Sequence, residues 1–265
     1  MIRVLIRSLI VTFMLSWAAI ASAQDYAREK RWADEVLPAV LVGEPVWLEL
    51  KGGHKFLSLL AQGEPKRAAI VLVHGVGVHP DHGVIGALRM QLNDLGYTTL
   101  SIQMPVARGE GADVNDYYPG VFGQAGERIA TAERYLRRKG HQRVVLVSHS
   151  MGAWMANVYL ADTPAPPFAA WVSIGVTGRY WNASLISIPF LGIEWFAGKI
   201  RLPVLDVYGE NDLPPVRDAA RQRARALAHI ANSEQVMIRA ADHHYAGKEA
   251  ELVKEIDRFV TRVVK

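Results

Sequence analysis

Apolar and polar positions along this chain follow two rhythms that take turns. Val46–Leu50 and Phe56–Ala61 are short strand-like runs separated by Lys51-Gly52-Gly53, which reads as a hairpin. Ala68–Val73 is apolar without a break and bounded by charge and glycine, as befits a central strand buried on both faces. Ile85, Leu88, Leu92 and Leu95 then recur at helical spacing across Val84–Leu95, which stops at Gly96. Tyr97–Ile102 predicts the next strand, Gly123–Lys139 a helix ended by Gly140, and Arg143–Val147 a second buried strand. Met151–Leu160 predicts a helix, closed off by Pro164, Pro166 and Pro167. Phe168–Val176, Pro203–Tyr208 and Gln235–Ile238 complete the strands, and Val216–Ile230 and Lys248–Val264 the helices.

Strand and helix alternating in this way predict an α/β fold with a mostly parallel central sheet, helices on both faces and an antiparallel hairpin at one edge. A polar amphipathic lead, Asp25 to Leu37, precedes it. Thr177–Ile200, rich in Trp, Phe, Ile and Gly, breaks the alternation between two strands and reads as a small cap (residues 177–200). No repeat and no low-complexity tract interrupts the chain, so residues 24–265 are expected to form a single domain.

The N-terminus has a different character. Arg3 and Arg7 precede an apolar run from Leu9 to Ile20, and Ala21-Ser22-Ala23 follows. That is the layout of a secretory signal over residues 1–23, with cleavage expected after Ala23. The apolar run, about 12 residues, is short of the roughly 20 that span a bilayer, which argues against a retained anchor. The expectation is a periplasmic or secreted protein without a stable membrane anchor. The chain has no cysteine, so it holds no disulfide and no lipidated N-terminal Cys. Losing the leader takes away two arginines and lowers the formal charge from +4 to +2. That excess is too small and scattered to argue for nucleic acid, and no nucleic-acid partner is expected. Arg137-Arg138-Lys139 suits a solvated helix end, and Arg221 to Arg225 a solvated helix face.

Chemistry concentrates at three predicted strand ends. Ser150, in Ser148-His149-Ser150-Met151-Gly152, stands between a buried strand and a helix. A serine there sits on a tight turn with its hydroxyl raised and a helix N-terminus behind it. Gly152 meets the turn's need for a small residue, and Ser148 stands where a glycine is usual. His74-Gly75-Val76-Gly77 follows another strand and can set the N–H of Val76 beside that of Met151 to hold an oxyanion. Asp212 follows the strand Pro203–Tyr208, where the acid of a triad belongs; Asp206, inside that strand, is its rival. Asp242-His243-His244 follows the last strand and offers the general base.

With these residues in place, the chain resembles the α/β-hydrolase superfamily over nearly all of its mature length. The run His74-Gly75-Val76-Gly77-Val78-His79-Pro80-Asp81 looks like a poorly characterised exported bacterial branch, the DUF3530 family. The resemblance implies a Ser150–His243–Asp212 triad acting through an acyl-enzyme, with His243 favoured over His244, no cofactor and no known substrate. A carboxylesterase-like serine hydrolase acting on a small-molecule ester or related acyl bond is the expectation.

Other readings compete. His149 beside the serine reads as packing at the elbow. His74, His79, Asp81 and His82 are compact enough to suggest a metal-dependent hydrolase, but H-E-x-x-H is missing and Asp81 and His82 adjoin Pro80 in a loop, so no metal is expected. His79, Tyr117, Trp154 and Trp181 are candidates to line an apolar substrate pocket, along with Tyr118, Trp195 and Phe196. A non-catalytic binding or envelope-assembly protein on the same fold is the alternative from another class.

Overall fold

The computed structural model of the chain describes residues 24–107, 121–178 and 197–265. The leader, Tyr117, Trp181 and most of the expected cap lie outside them. The described elements run as α1 (Tyr26–Val36), β1 (Glu44–Glu49), β2 (Lys55–Ala61), β3 (Ala69–Val73), α2 (Gly83–Asp94) and β4 (Thr98–Ile102). Next come α3 (Phe122–Arg138), β5 (Val144–His149), α4 (Met151–Asp162), β6 (Ala170–Ile174) and β7 (Val204–Gly209). The chain closes with α5 (Pro214–Asp218), α6 (Ala220–Leu227), β8 (Glu234–Ile238) and α7 (Glu249–Val263).

The strands form one 8-stranded sheet in the order β1-β2-β4-β3-β5-β6-β7-β8. β1, β2 and β4 pair antiparallel, and every pairing from β4 through β8 is parallel. The unbroken apolar runs are explained by burial on both faces, because successive side chains point to opposite sides. Ala69, Val71, Val73, Val144 and Leu146 join the core under α3 and α4. Ile70, Leu72, Val145 and Val147 join the opposite core, under α2 and α7.

The polar lead is a helix docked by one buried ion pair. Asp25 caps α1 by accepting from Arg28 N–H at 2.9 Å. Ala33 and Val36 pack on Leu57 and Leu59 of β2. Glu29 then receives both guanidinium nitrogens of Arg128 at 2.8 Å each, with Arg128 fully buried on α3.

Two sequence expectations need correction. The span Val216–Ile230 is not one helix but breaks at Ala219, and within Arg221 to Arg225 only Arg221 and Arg225 are solvated, while Arg223 turns inward. Arg223 is 1% exposed and grips Asp206 of β7 at 2.9 and 3.0 Å. Its Nη1 also takes the Val216 carbonyl at 2.6 Å, the acceptor that a continuous helix would have used for its own ladder. Arg137 is likewise tied down, to Glu133 and the carbonyls of Gln142 and Pro167.

Candidate active site

The parallel strands β3, β5, β6 and β7 all end on the same edge of the sheet, and the site is assembled there. β5 runs directly into α4 through Ser150, whose backbone sits at φ 56, ψ −124. A non-glycine residue held in that region stores strain that the surroundings must compensate. Here the Ser150 N–H donates to the Ile174 carbonyl at 2.8 Å, and its own carbonyl starts α4 by accepting from Ala153 at 2.9 Å. Gly152 is required because a Cβ there would lie 2.4 Å from the His74 carbonyl oxygen.

The serine that replaces the usual glycine is used. Ser148 is fully buried, and its hydroxyl accepts from the Trp171 indole N–H at 2.8 Å. It donates in turn toward the Val172 carbonyl at 3.3 Å. Position 148 therefore fixes β5 to β6 beneath the turn.

Ser150, His243 and Asp212 meet in one chain of hydrogen bonds. His243 Nε2 is 3.0 Å from Ser150 Oγ, and His243 Nδ1 is 2.6 Å from Asp212 Oδ1. An Nδ1–H donated to the carboxylate leaves Nε2 with its lone pair facing the serine hydroxyl. Burial alone would raise the Asp212 carboxyl, but hydrogen bonding and charge from His243, with the N–H groups of Gly209 and Leu213, outweigh it. The carboxyl stays below the usual carboxylate range. His244 is exposed, its ring 5.4 Å from that of His243. Asp206 has no oxygen to offer a histidine, since Arg223 and Gln235 occupy its carboxylate.

Two glycines make room for this constellation: Gly75, in the turn His74 to Gly77 that the sequence marked, and Gly175, which did not stand out. Gly175, at φ 64, ends β6 so that a Cβ would fall 3.1 Å from His243 Cε1 and 3.2 Å from its Nδ1. Gly75 faces the serine, with a Cβ there 3.1 Å from Ser150 Cβ. For Gly175, a glycine closing an apolar strand was the one available signal, and many strands end so.

Two buried histidines support the turns without titrating. His74 Nε2 accepts from the Met104 N–H at 2.9 Å, so its Nδ1 carries the proton and donates to the Gly75 carbonyl at 2.8 Å. A trans peptide points its C=O and N–H in opposite directions, so this bond turns the Val76 N–H away from His74. Neither Val76 nor Met151 uses its N–H in a backbone hydrogen bond among the described residues. His149 donates through Nε2 to the His243 carbonyl at 2.8 Å. Burial pushes both His74 and His149 down to about 3, so both are neutral near pH 7.

A cavity of about 230 Å³ opens beside Ser150. Val76, Val78, Val84 and Ile85 form its wall, while Leu213, His82 and His244 stand at its mouth. Neither His79 nor Trp154 lines it. Trp154 is buried in the core under α4, its indole N–H donating to Thr177 Oγ1 at 2.8 Å. His79 accepts from the Asp81 N–H at 3.3 Å and meets His82 edge to face at 5.3 Å. Asp81 is taken by Arg89, and among the described residues no three His, Asp or Glu side chains converge on one point. Tyr117 and Trp181 lie outside the described residues.

Similar solved structures carry the same architecture. The chain is 16% identical to Est1E from Butyrivibrio proteoclasticus, covering 83% of this chain and 98% of that one at a TM-score of 0.63. It is 20% identical to the dienelactone hydrolase from Anabaena variabilis, with 84% and 98% covered and a TM-score of 0.66. The Pyrococcus furiosus esterase Pf2001 is 15% identical, with 84% and 93% covered and a TM-score of 0.64. No curated protein matches the chain. The fold is therefore that of the α/β-hydrolases. Residues 7–115 match the family model described as "Protein of unknown function (DUF3530)", the family that the run His74 to Asp81 resembles.

Proposed function

We propose that this protein is an exported serine hydrolase that cleaves an ester or related acyl bond through an acyl-enzyme. The observation that carries the proposal is the unbroken relay from Ser150 Oγ through His243 to Asp212, at 3.0 and 2.6 Å. As Ser150 Oγ bonds to the acyl carbon, its proton passes to His243 Nε2 and the carbonyl oxygen becomes an oxyanion. The N–H groups of Val76 and Met151 are the donors for that oxyanion. Collapse of the tetrahedral intermediate breaks the bond to the leaving oxygen, which takes the proton from His243. Water then adds to the acyl-enzyme with His243 again receiving a proton, and the acid departs as Ser150 regains its hydrogen. Asp212 keeps the His243 tautomer fixed and stabilises the imidazolium in both halves.

Export rests on the leader pattern over residues 1–23. In support, Gln24 bridges to Ala107 and the Asp25 N–H donates to Val106 at 2.6 Å, so the residue left first by cleavage already belongs to the folded body. Hydrolysis of p-nitrophenyl butyrate tests the chemistry. Wild type should turn it over, and Ser150→Ala, His243→Ala and the double variant should each lose about 10³-fold or more without adding up. Turnover retained in Ser150→Ala would refute the proposal. N-terminal sequencing of the periplasmic or secreted protein should begin at Gln24; recovery of intact Met1 from membranes would mean a retained anchor instead of cleavage.

A further inference from the structure

The cavity beside Ser150 is small, apolar and stiff, and each property bears on what it accepts. Its volume of about 230 Å³ falls below the roughly 300–1,000 Å³ of pockets that hold drug-sized ligands. At roughly 30 Å³ for each water-sized group, it holds about eight heavy atoms. The ester carbon and its two oxygens occupy part of that, leaving room for about five more.

Among the described residues, the lining carries no Lys, Arg, Asp or Glu. Apart from the Ser150 hydroxyl, its polar side chains are imidazoles, and His74, His149 and His243 are already engaged. A charged acyl group would give up its water there without a fixed counter-ion. Leu213, the residue after Asp212, is 44% exposed at the mouth, an apolar surface that a bound acyl chain would cover.

The wall does not yield. Val84 and Ile85 stand in the first turn of α2, and Val76 and Val78 in the loop before it; all four are β-branched, with restricted side-chain torsions. That loop is braced from several sides. Arg89, 1% exposed, binds Asp81 through Nε and the Val42 carbonyl through Nη1 at 2.7 Å. The Ser101 hydroxyl holds the Pro80 carbonyl at 2.6 Å, and the His82 N–H donates to the His79 carbonyl at 3.1 Å. Gly86 seats α2 so closely on the loop that a Cβ there would lie 2.5 Å from the Asp81 carbonyl oxygen. The histidine and aspartate cluster of the sequence thus serves as a frame for the valine wall.

We propose that this cavity is the acyl pocket and that it admits an uncharged acyl group of about two to six carbons, longer chains being rejected by the braced wall. The inference rests on the serine-hydrolase reading of Ser150. It is tested with purified protein on p-nitrophenyl esters from acetate to palmitate. The expected kcat/KM peaks at acyl chains of about two to six carbons and falls at least about 10-fold by about ten carbons, because each rejected methylene costs 10-fold or more. Val78→Phe should raise the acetate-to-hexanoate ratio about 10-fold, and Val78→Ala should lower it and shift the optimum to longer chains. Thermal melts check that both variants are folded, and the wild-type series stands without them. A maximum at about ten carbons or beyond, with a fluorophosphonate still labelling Ser150, overturns the pocket assignment alone. Absence of both labelling and hydrolysis overturns the serine-hydrolase reading and the pocket with it.

Discussion

His149 and His243 are joined through the backbone: the Nε2–H of one donates to the carbonyl of the other at 2.8 Å, with the two rings 4.9 Å apart. The residue before Ser150 thereby holds the loop that carries His243. Burial, and secondly the proximity of His243, keeps His149 neutral, so it adds no charge when His243 takes its proton.

Loss of that bond should therefore reduce turnover more than binding. His149→Phe leaves the His243 carbonyl unpaired, a cost of about 1–3 kcal/mol, and lets the base drift. Steady-state kinetics should give a kcat lower by about 10- to 100-fold with KM little changed. His149→Gln, which restores an N–H donor, should recover most of the loss.

Gly175→Ala probes the space around His243. The substitution forces a Cβ to within 3.1 Å of His243 Cε1 at a φ of 64. Fluorophosphonate labelling of Ser150 should slow by about 10²-fold or more, while stability falls by only about 1–2 kcal/mol. Labelling at the wild-type rate would mean that the His243 position does not matter to Ser150.

Ser148→Gly brings the elbow closer to the usual motif and should nonetheless weaken the protein. It leaves the buried Trp171 indole N–H without its acceptor. Urea unfolding should report a loss of about 1–3 kcal/mol. A variant as stable as wild type would contradict the role given to Ser148.

Acid should destabilise the fold before the carboxylates titrate. His74 and His149 fall from 6.5 to about 3 on folding, so between those values the unfolded chain binds protons that the native chain does not. Stability must then drop as pH falls through that window, by up to about 1.4 kcal/mol per pH unit for each histidine. Half-buried His79 and partly buried His141, also lowered chiefly by burial, act in the same direction. Asp212 acts at lower pH: its stabilising contribution is present above the ordinary carboxylate range and lost as pH falls through its lowered native value. Urea midpoints measured from about pH 7 to about pH 5 should decline in wild type and decline less steeply in His149→Gln.

The order of strands, and of Ser150, Asp212 and His243 behind them, was legible because each rests on local pattern: an apolar run, then a turn. What depends on distant partners was not. Arg223 looks solvated on its helix and is drawn inside by Asp206 on β7, which also breaks the helix expected over Val216–Ile230. Trp154 and His79 stand near the right loops, but sequence spacing does not say which side of a buried helix or a braced loop faces the cavity. Ser148 looked like a departure until Trp171 supplied its partner. Gly175 and Gly75 matter for side chains that reach them only in three dimensions.

The central claim is that Ser150 is the activated nucleophile, and site-mapped covalent labelling addresses it most directly. Purified protein treated with a fluorophosphonate, digested and analysed by mass spectrometry should carry the adduct on Ser150. The adduct should be lost in Ser150→Ala and form more slowly, by about 10²-fold or more, in His243→Ala. A folded wild type that takes no label, or an adduct that persists in Ser150→Ala, would contradict the account.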